Sequence, residues 1–177
     1  ISDDKAINDV ALCREGVLNH AKKGTTYIDM STISPSISSE IAQLAEQKGI
    51  YYLRAPVNGT VMQAENSSLV ILVSGPKKIF NINKDLFNML GNKIYYLGDQ
   101  EQARYIKLSI NMMVGISAIM MAEALALGNS GGLDRDLMVD IIKNSAVGSP
   151  LINYKEKTLK ERDFTPAFSA EQMAKDF

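Results

Sequence analysis

The stretch SLVILVSGP at residues 68–76 decides the fold class. Its near-continuous apolar run is typical of a strand that is buried on both faces of a parallel sheet. Gly75 and Pro76 end this strand and begin a helix that we predict to run to about residue 90. A further strand is predicted at residues 94–97, so strand and helix alternate. This alternation predicts an α/β fold with a mainly parallel sheet.

The residues before this run continue the alternation. Two β-prone runs flank a helical pattern, and polar turn residues separate them. The predicted elements are, in order, a helix capped by Asp3 or Asp4 that runs to about residue 24, a strand at 26–30, a helix capped by Ser36 and stopped by Gly49, a strand at 50–53 and a loop at 57–60.

The pattern changes after Gly98 to a series of helices. Residues 103–127 contain no break except Gly115 and are apolar on nearly every side, which predicts a helix buried in protein or lipid. A membrane span needs about 20 mostly apolar residues, and the interval between Lys107 and Glu123 is shorter, so we expect burial in protein and no membrane contact. Further helices are predicted after Asp134, at residues 151–162 and from about residue 169.

The composition of the 177 residues excludes several classes of protein. Lys and Arg number 19 and Asp and Glu 20, so a net charge of −1 provides no basic field for nucleic acid. The single cysteine, Cys13, cannot form an internal disulfide, which fits a reducing compartment, and we expect a cytoplasmic location. The single histidine, His20, leaves no His and Cys cluster for zinc, and we expect no metal site.

Lys107 and Asn111 are the strongest candidates for chemistry. They lie four residues apart in the long predicted helix, so both project from one face. A lysine among apolar neighbours is partly desolvated, which lowers its pKa and suits proton transfer near neutral pH. The alternative is a lysine whose aliphatic stem covers apolar surface while its amine reaches water, and spacing alone favours that alternative.

Two turns that follow predicted strands are further candidates. Thr32 lies just after the strand at 26–30, and ligands of open α/β sheets bind at the carboxyl ends of strands. Asn58 and Gly59 also follow a strand, and a glycine allows a ligand to approach the backbone closely. Ordinary turn chemistry explains both segments at least as well, and it is favoured for the turn at Thr32.

Four stretches resemble the β-hydroxyacid dehydrogenase family in their order and approximate spacing. They are IDMST at 28–32, APVNG at 55–59, Lys107-x-x-x-Asn111 and MAKD at 173–176. The family includes 3-hydroxyisobutyrate dehydrogenase, tartronate semialdehyde reductase and glyoxylate/succinic semialdehyde reductase, with 6-phosphogluconate dehydrogenase and imine reductases as more distant members. The resemblance covers essentially the whole chain.

This resemblance implies a domain organisation. Residues 1–98 would be the C-terminal part of a Rossmann-type NAD(P)-binding domain, and residues 99–177 part of an all-α substrate and dimerisation domain led by the long central helix. We expect the family's first 60 or so residues, with the dinucleotide fingerprint, to lie outside this chain, and we expect the 177-residue piece alone to be inactive. A homo-oligomer is also implied.

The resemblance also implies a reaction and roles for particular residues. The reaction would be NAD- or NADP-dependent interconversion of a small 3-hydroxyacid and its semialdehyde or oxoacid. The implied roles are Lys107 as general acid/base, Asn111 as the residue that orients substrate and lysine, Thr32 and Lys175 as cofactor contacts, and Asn58 and Gly59 as substrate contacts.

The sequence departs from the family pattern at four positions, which keeps two alternatives open. The family often has Asp or Gly at Arg54, Ser at Asn58 and Gly at Thr60, and Glu101 adds a negative charge where an anionic substrate would approach. One alternative is a non-catalytic relative that uses the fold as a scaffold for oligomerisation. The other is an imine-reductase-like enzyme, although that branch often lacks the lysine.

Overall fold

The computed structural model describes residues 1, 3–165 and 169–176. They form two compact units. The first contains residues 1–110 together with Lys175 and Asp176, and the second contains Asn111–Ala174. The units divide inside the long helix, whereas the predicted domain boundary at residue 98 lies before that helix begins.

The fold is mixed α/β, and this prediction is confirmed. The elements of the first unit are α1 (Asp4–Ile7), a π-helical turn (Asn8–Leu12), α2 (Val17–His20), β1 (Thr26–Asp29), α3 (Pro35–Gln47), β2 (Tyr51–Arg54), β3 (Val57–Asn58), α4 (Val61–Glu65), β4 (Leu69–Val73), α5 (Lys77–Ile82), α6 (Lys84–Leu90), β5 (Gly91–Tyr96) and the start of α7 (Gln102–Ser130). The second unit contains the rest of α7, α8 (Arg135–Lys143), α9 (Pro150–Glu161) and α10 (Ala170–Ala174).

The strands form two small sheets. β1 pairs with β2 in parallel, with Asp29 opposite Arg54 in the register. β4 pairs with β5 in parallel and with β3 in the antiparallel sense. An isolated antiparallel bridge between Arg54 and Ser74 connects the two sheets. Among the described residues, two of the three strand pairings are therefore parallel, as predicted, but these strands do not form one continuous sheet.

Capping residues explain where several helices begin. Asp3 caps α1, because its Oδ1 accepts a hydrogen bond of 2.8 Å from the backbone N–H of Ala6. The prediction that Ser36 caps α3 is wrong. Ser34 is the cap, since Pro35 takes the first helical position, where it needs no hydrogen-bond partner for its nitrogen.

Three other element boundaries differ from the prediction. The first helix is interrupted after Leu12, because the chain turns so tightly that a Cβ on Gly16 would lie 2.7 Å from the carbonyl oxygen of Ala11. The helix after Pro76 divides at Asn83, whose side chain bonds back to a carbonyl of the preceding turn. Residues 57–58, predicted as loop, pair as strand β3.

The apolar helix α7 is not buried along its length, so that prediction is wrong for the described chain. Helices α8 and α9 cover only part of it, through a small core of Met121, Leu125, Met138, Val139 and Ile152. Elsewhere its apolar side chains face solvent, with Met113 66% and Ile119 64% exposed. By length and composition α7 is the kind of helix that can cross a membrane, and core helices of soluble proteins pass the same test.

Two buried ion pairs connect the beginning of α7 to the ends of β1 and β2. Arg104 in the first turn of α7 pairs with Asp29 at the end of β1, with 2.5 Å between Nη2 and Oδ2. Glu101, just before α7, pairs with Arg54 at the end of β2. Asp29 and Arg54 are opposite each other in the register, so adjacent strand ends carry opposite charges. Arg104 on α7 matches the first charge, and Glu101 just before α7 matches the second. We refer to these four residues as the crossed ion pairs.

Replacement of one partner in a crossed ion pair should destabilise the protein strongly. In Arg54→Leu the carboxylate of Glu101 would stay buried without its counter-charge, and we expect a loss of about 3–5 kcal/mol in the free energy of unfolding. The double variant Arg54→Leu/Glu101→Leu should recover most of this loss, because no isolated charge remains. Urea unfolding followed by circular dichroism measures both.

A matched control is Lys143→Leu, which breaks the more exposed ion pair between Lys143 and Glu156. This control should change the free energy of unfolding far less than Arg54→Leu, because water screens the pair. The interpretation would be contradicted if Arg54→Leu/Glu101→Leu lost as much free energy of unfolding as Arg54→Leu and Glu101→Leu lose together.

Candidate active site

The amine of Lys107 is the centre of the candidate site. Lys107 lies on α7 one turn after Arg104, and its side chain is half-buried. Its Nζ donates a hydrogen bond of 2.8 Å to Oδ1 of Asn58, the last residue of β3. Two residues that the sequence analysis selected independently are therefore in direct contact.

The surroundings of this amine lower its pKa. Burial is the main cause, because a desolvated ammonium is less stable than one in water. The positive charge of Lys175 also lowers the pKa of Lys107, while the negative charge of Asp176 opposes both effects. A lysine whose pKa lies below its usual value exchanges a proton more readily near neutral pH.

Lys175 and Thr32 form a second contact of the site. The Nζ of Lys175 donates to the carbonyl oxygen of Thr32 at 2.8 Å, although 143 residues separate them in the sequence. The same Nζ lies 2.7 Å from Oδ1 of the buried Asp176. The ammonium group of Lys175 is therefore held next to the turn that follows the carboxyl end of β1, where ligands of α/β sheets bind.

A shallow pocket of about 260 Å³ lies beside this contact. Its lining residues are Thr32, Ile33, Ser34, Lys175, Asp3, Asp4 and Lys5. Asp4 also accepts a hydrogen bond of 2.9 Å from the backbone N–H of Ser34. From the sequence the two aspartates are predicted only as alternative helix caps, because nothing in their local pattern shows that the chain returns to them 30 residues later.

Gly59 is required by the backbone at its position. Its φ of +143° is rarely adopted by other residues, and an added Cβ would lie 2.8 Å from Cδ2 of Leu69. The next residue, Thr60, precedes α4. The backbone N–H of Thr60 donates a hydrogen bond of 2.8 Å to Oε1 of Gln63. The segment after Asn58 is therefore a tight turn at Gly59 followed directly by Thr60 and the start of α4.

Asn111 lies on α7 one turn beyond Lys107, and the two compact units divide just before it. Its role stays a prediction. Among the described residues, no group of three or more His, Cys, Asp or Glu side chains is placed to hold a metal ion. Arg104 was not selected from the sequence. The only available signal was a charged residue in the first turn of a strongly apolar helix.

Two family models divide the chain between them. Residues 1–98 match the NAD binding domain of 6-phosphogluconate dehydrogenase, and residues 102–177 match the NAD-binding domain of NADP-dependent 3-hydroxyisobutyrate dehydrogenase. Together with the fold, these matches define the class as a Rossmann-type α/β region followed by a helical domain. The chain belongs to the β-hydroxyacid dehydrogenase family, and the resemblance drawn from its four sequence stretches is confirmed.

Individual relatives agree with this assignment. The chain is 32% identical over 176 residues to glyoxylate/succinic semialdehyde reductase 1 of Arabidopsis thaliana, covering 99% of this chain and 61% of that protein. It is 35% identical over 162 residues to 2-(hydroxymethyl)glutarate dehydrogenase of Eubacterium barkeri, covering 91% and 54%. The structure of Mycobacterium tuberculosis 3-hydroxyisobutyrate dehydrogenase with L-serine is similar, with a TM-score of 0.84, 27% identity and coverage of 99% and 62%. The chain thus spans about three fifths of the length of these proteins or slightly less.

Neutralisation of Asp176 should lower the pKa of Lys107 further. The carboxylate of Asp176 stabilises the charged amine, so Asp176→Asn removes an effect that raises this pKa. The titration of the Lys107 amine can be followed by ¹³C NMR after reductive ¹³C-methylation, with the signal assigned by its loss in Lys107→Met. The control is Asp85→Asn, which neutralises an exposed carboxylate on α6 and should leave the titration of the Lys107 amine unchanged. A higher or equal pKa in Asp176→Asn would contradict the described electrostatics.

Proposed function

We propose that the protein is an NAD- or NADP-dependent oxidoreductase that interconverts a small 3-hydroxyacid and its semialdehyde or oxoacid. The observation that carries this proposal is the half-buried amine of Lys107 in hydrogen-bonding contact with Asn58. Membership of the β-hydroxyacid dehydrogenase family and the names of the relatives support it.

Lys107 is proposed to move the proton of the reaction. In the oxidation direction the neutral amine accepts the proton of the substrate hydroxyl, and in the reduction direction the ammonium returns it to the carbonyl oxygen. The lowered pKa brings the neutral form of the amine closer to neutral pH than it is for an ordinary lysine. The bound nicotinamide would supply the other half of the chemistry by accepting or returning a hydride.

The residues around Thr32 fit a dinucleotide in chemical terms. The carboxylates of Asp3 and Asp4 in the pocket can accept hydrogen bonds from ribose hydroxyls. The ammonium of Lys175 is a cation that suits the negatively charged phosphates. We propose that Thr32 and Lys175 contact the cofactor at this pocket.

Asn58 and Gly59 are proposed to bind the substrate. The Oδ1 of Asn58 accepts from Lys107, which directs the amide NH₂ group, with its two donor hydrogens, to other acceptors such as a substrate carboxylate. Gly59 allows close approach to the backbone. Asn111 is proposed to orient the substrate and Lys107. L-serine, present in the similar Mycobacterium tuberculosis structure, is itself a small 3-hydroxyacid.

The negative charge of Glu101 is compatible with an anionic substrate. At the sequence level its negative charge is unfavourable for such a ligand, but its carboxylate is paired with Arg54 inside the protein. Two departures from the family pattern therefore neutralise each other. The proposal of an acidic substrate is compatible with both residues.

The remaining expectations concern assembly and location. We propose a homo-oligomer, supported by the exposed apolar side chains of α7. A small-molecule substrate is the proposed ligand, with no nucleic-acid or membrane partner. The cytoplasmic location stays a prediction that rests on the single Cys13.

Removal of the Lys107 amine should abolish most of the turnover. In the full-length protein that carries this chain, we expect Lys107→Met to lower kcat by about 100-fold or more, as typical for loss of a general acid/base. Binding of NADH or NADPH, followed by fluorescence titration, should persist. Glyoxylate, succinic semialdehyde and tartronate semialdehyde are suitable test substrates.

The matched control is Lys78→Met, which removes an exposed lysine and should leave kcat unchanged. Unchanged turnover in Lys107→Met would exclude the proton-transfer role. Absence of any reductase activity in the unmodified protein, with cofactor still bound, would favour a scaffold. Preference for an imine substrate would instead favour the imine-reductase alternative.

A further inference from the structure

We infer that Arg104 is a positioning residue for the amine of Lys107, because its buried guanidinium fixes the first turn of α7 against the turn that carries Thr32. The inference rests on the proposed function, in which Lys107 moves the proton. Neither the family motifs nor the candidate residues selected from the sequence include Arg104.

The guanidinium of Arg104 is 1% exposed and is surrounded by acceptors from three elements. Its Nη2 lies 2.5 Å from Oδ2 of Asp29, and the same nitrogen donates to the hydroxyl of Tyr52 at 2.9 Å. Its Nε donates to Oγ of Ser38 at 3.1 Å, and its Nη1 donates to the carbonyl oxygen of Ser31. One side chain of α7 is thus bonded to β1, β2, α3 and the turn after β1.

Asp29 also fixes the turn after β1, which contains Ser31 and Thr32. Its Oδ1 accepts a hydrogen bond of 2.9 Å from the backbone N–H of Ser31. The carbonyl oxygen of Ser31 accepts from Arg104, so both backbone groups of Ser31 are fixed by the ion pair. The next residue is Thr32, whose own carbonyl accepts from Lys175.

The distance from Arg104 to Lys107 is short. They are three residues apart in one helix, which corresponds to an axial rise of about 4.5 Å. Any shift of the first turn of α7 therefore shifts the Lys107 amine relative to Asn58 and Thr32. A misplacement of about 1 Å can reduce the rate of an enzyme reaction by about 100-fold.

The planar, forked shape of the arginine side chain is essential to this role. A guanidinium presents five donors in a fixed arrangement, and this one uses Nε, Nη1 and Nη2 in different directions. A lysine at this position would keep the positive charge and could pair with Asp29. It could not hold Ser31 and Ser38 at the same time.

Arg104→Lys in the full-length protein is therefore the decisive variant, with Arg14→Lys as the matched control on an exposed arginine. We expect Arg104→Lys to lower kcat about 10- to 100-fold, with a smaller change in KM for the test aldehydes. We also expect the pKa of the Lys107 amine, measured by ¹³C NMR of the methylated protein, to move up towards its usual value as the amine gains solvent. The control should change neither quantity.

A purely structural role predicts a different result. Arg104→Lys would then lower the unfolding midpoint but leave the pKa of Lys107 and the kcat of the folded protein unchanged, and this result would overturn the inference. If Arg104→Lys does not fold, Asp29→Asn/Arg104→Gln removes both charges together and leaves no isolated buried charge. This double variant should show the same loss of kcat and the same rise in pKa, and unchanged values would again overturn the inference.

The two proposals fail in distinguishable ways. If the unmodified protein reduces none of the test aldehydes, the proposed function fails. The pKa of the Lys107 amine does not depend on turnover, so its comparison between the unmodified protein and Arg104→Lys still decides whether Arg104 positions the amine.

Discussion

The ion pair between Asp29 and Arg104 is the interaction on which the arrangement of the first unit depends. Both groups are almost completely buried, and an isolated charge at either position would be very costly. The pair is stable there because Ser31 and Tyr52 donate hydrogen bonds to Asp29, and Ser38 accepts one from Arg104. The pair holds the first turn of α7, which precedes Lys107 by one turn, against the end of β1 and the turn that follows it.

The sequence predicted those features that depend on local patterns. The strand within residues 68–73, the helix starts at Asp3 or Asp4 and after Asp134, and the long helix are all encoded by local patterns. The divided sheet, the antiparallel strand β3 and the exposure of α7 depend on contacts between distant segments, which periodicity does not report. Within the site, Lys107, Asn58 and Thr32 are candidates from their own sequence context and Lys175 only from the family resemblance, and the roles of all four stay predictions. Arg104 was missed because no motif contains it.

The crossed ion pairs also show why departures from a family pattern cannot be judged one at a time. Arg54 alone would place a charge in a buried strand end, and Glu101 alone would place a carboxylate near a proposed anion site. In the structure each residue supplies the charge that the other requires. A comparison of single positions with the family finds two unfavourable charges. In the folded chain these charges form one ion pair, so the energetic effect of either residue depends on the presence of the other.

The contact between Lys175 and Thr32 has a consequence for biosynthesis. A ribosome adds about 5–20 residues per second, so Lys175 emerges roughly 7–29 s after Thr32. Within this interval Arg104, the partner of the Asp29 carboxylate, is synthesised 75 residues after Asp29. Premature termination within the helical region would consequently release a polypeptide in which the carbonyl oxygen of Thr32 never receives the hydrogen bond that Lys175 donates in the structure.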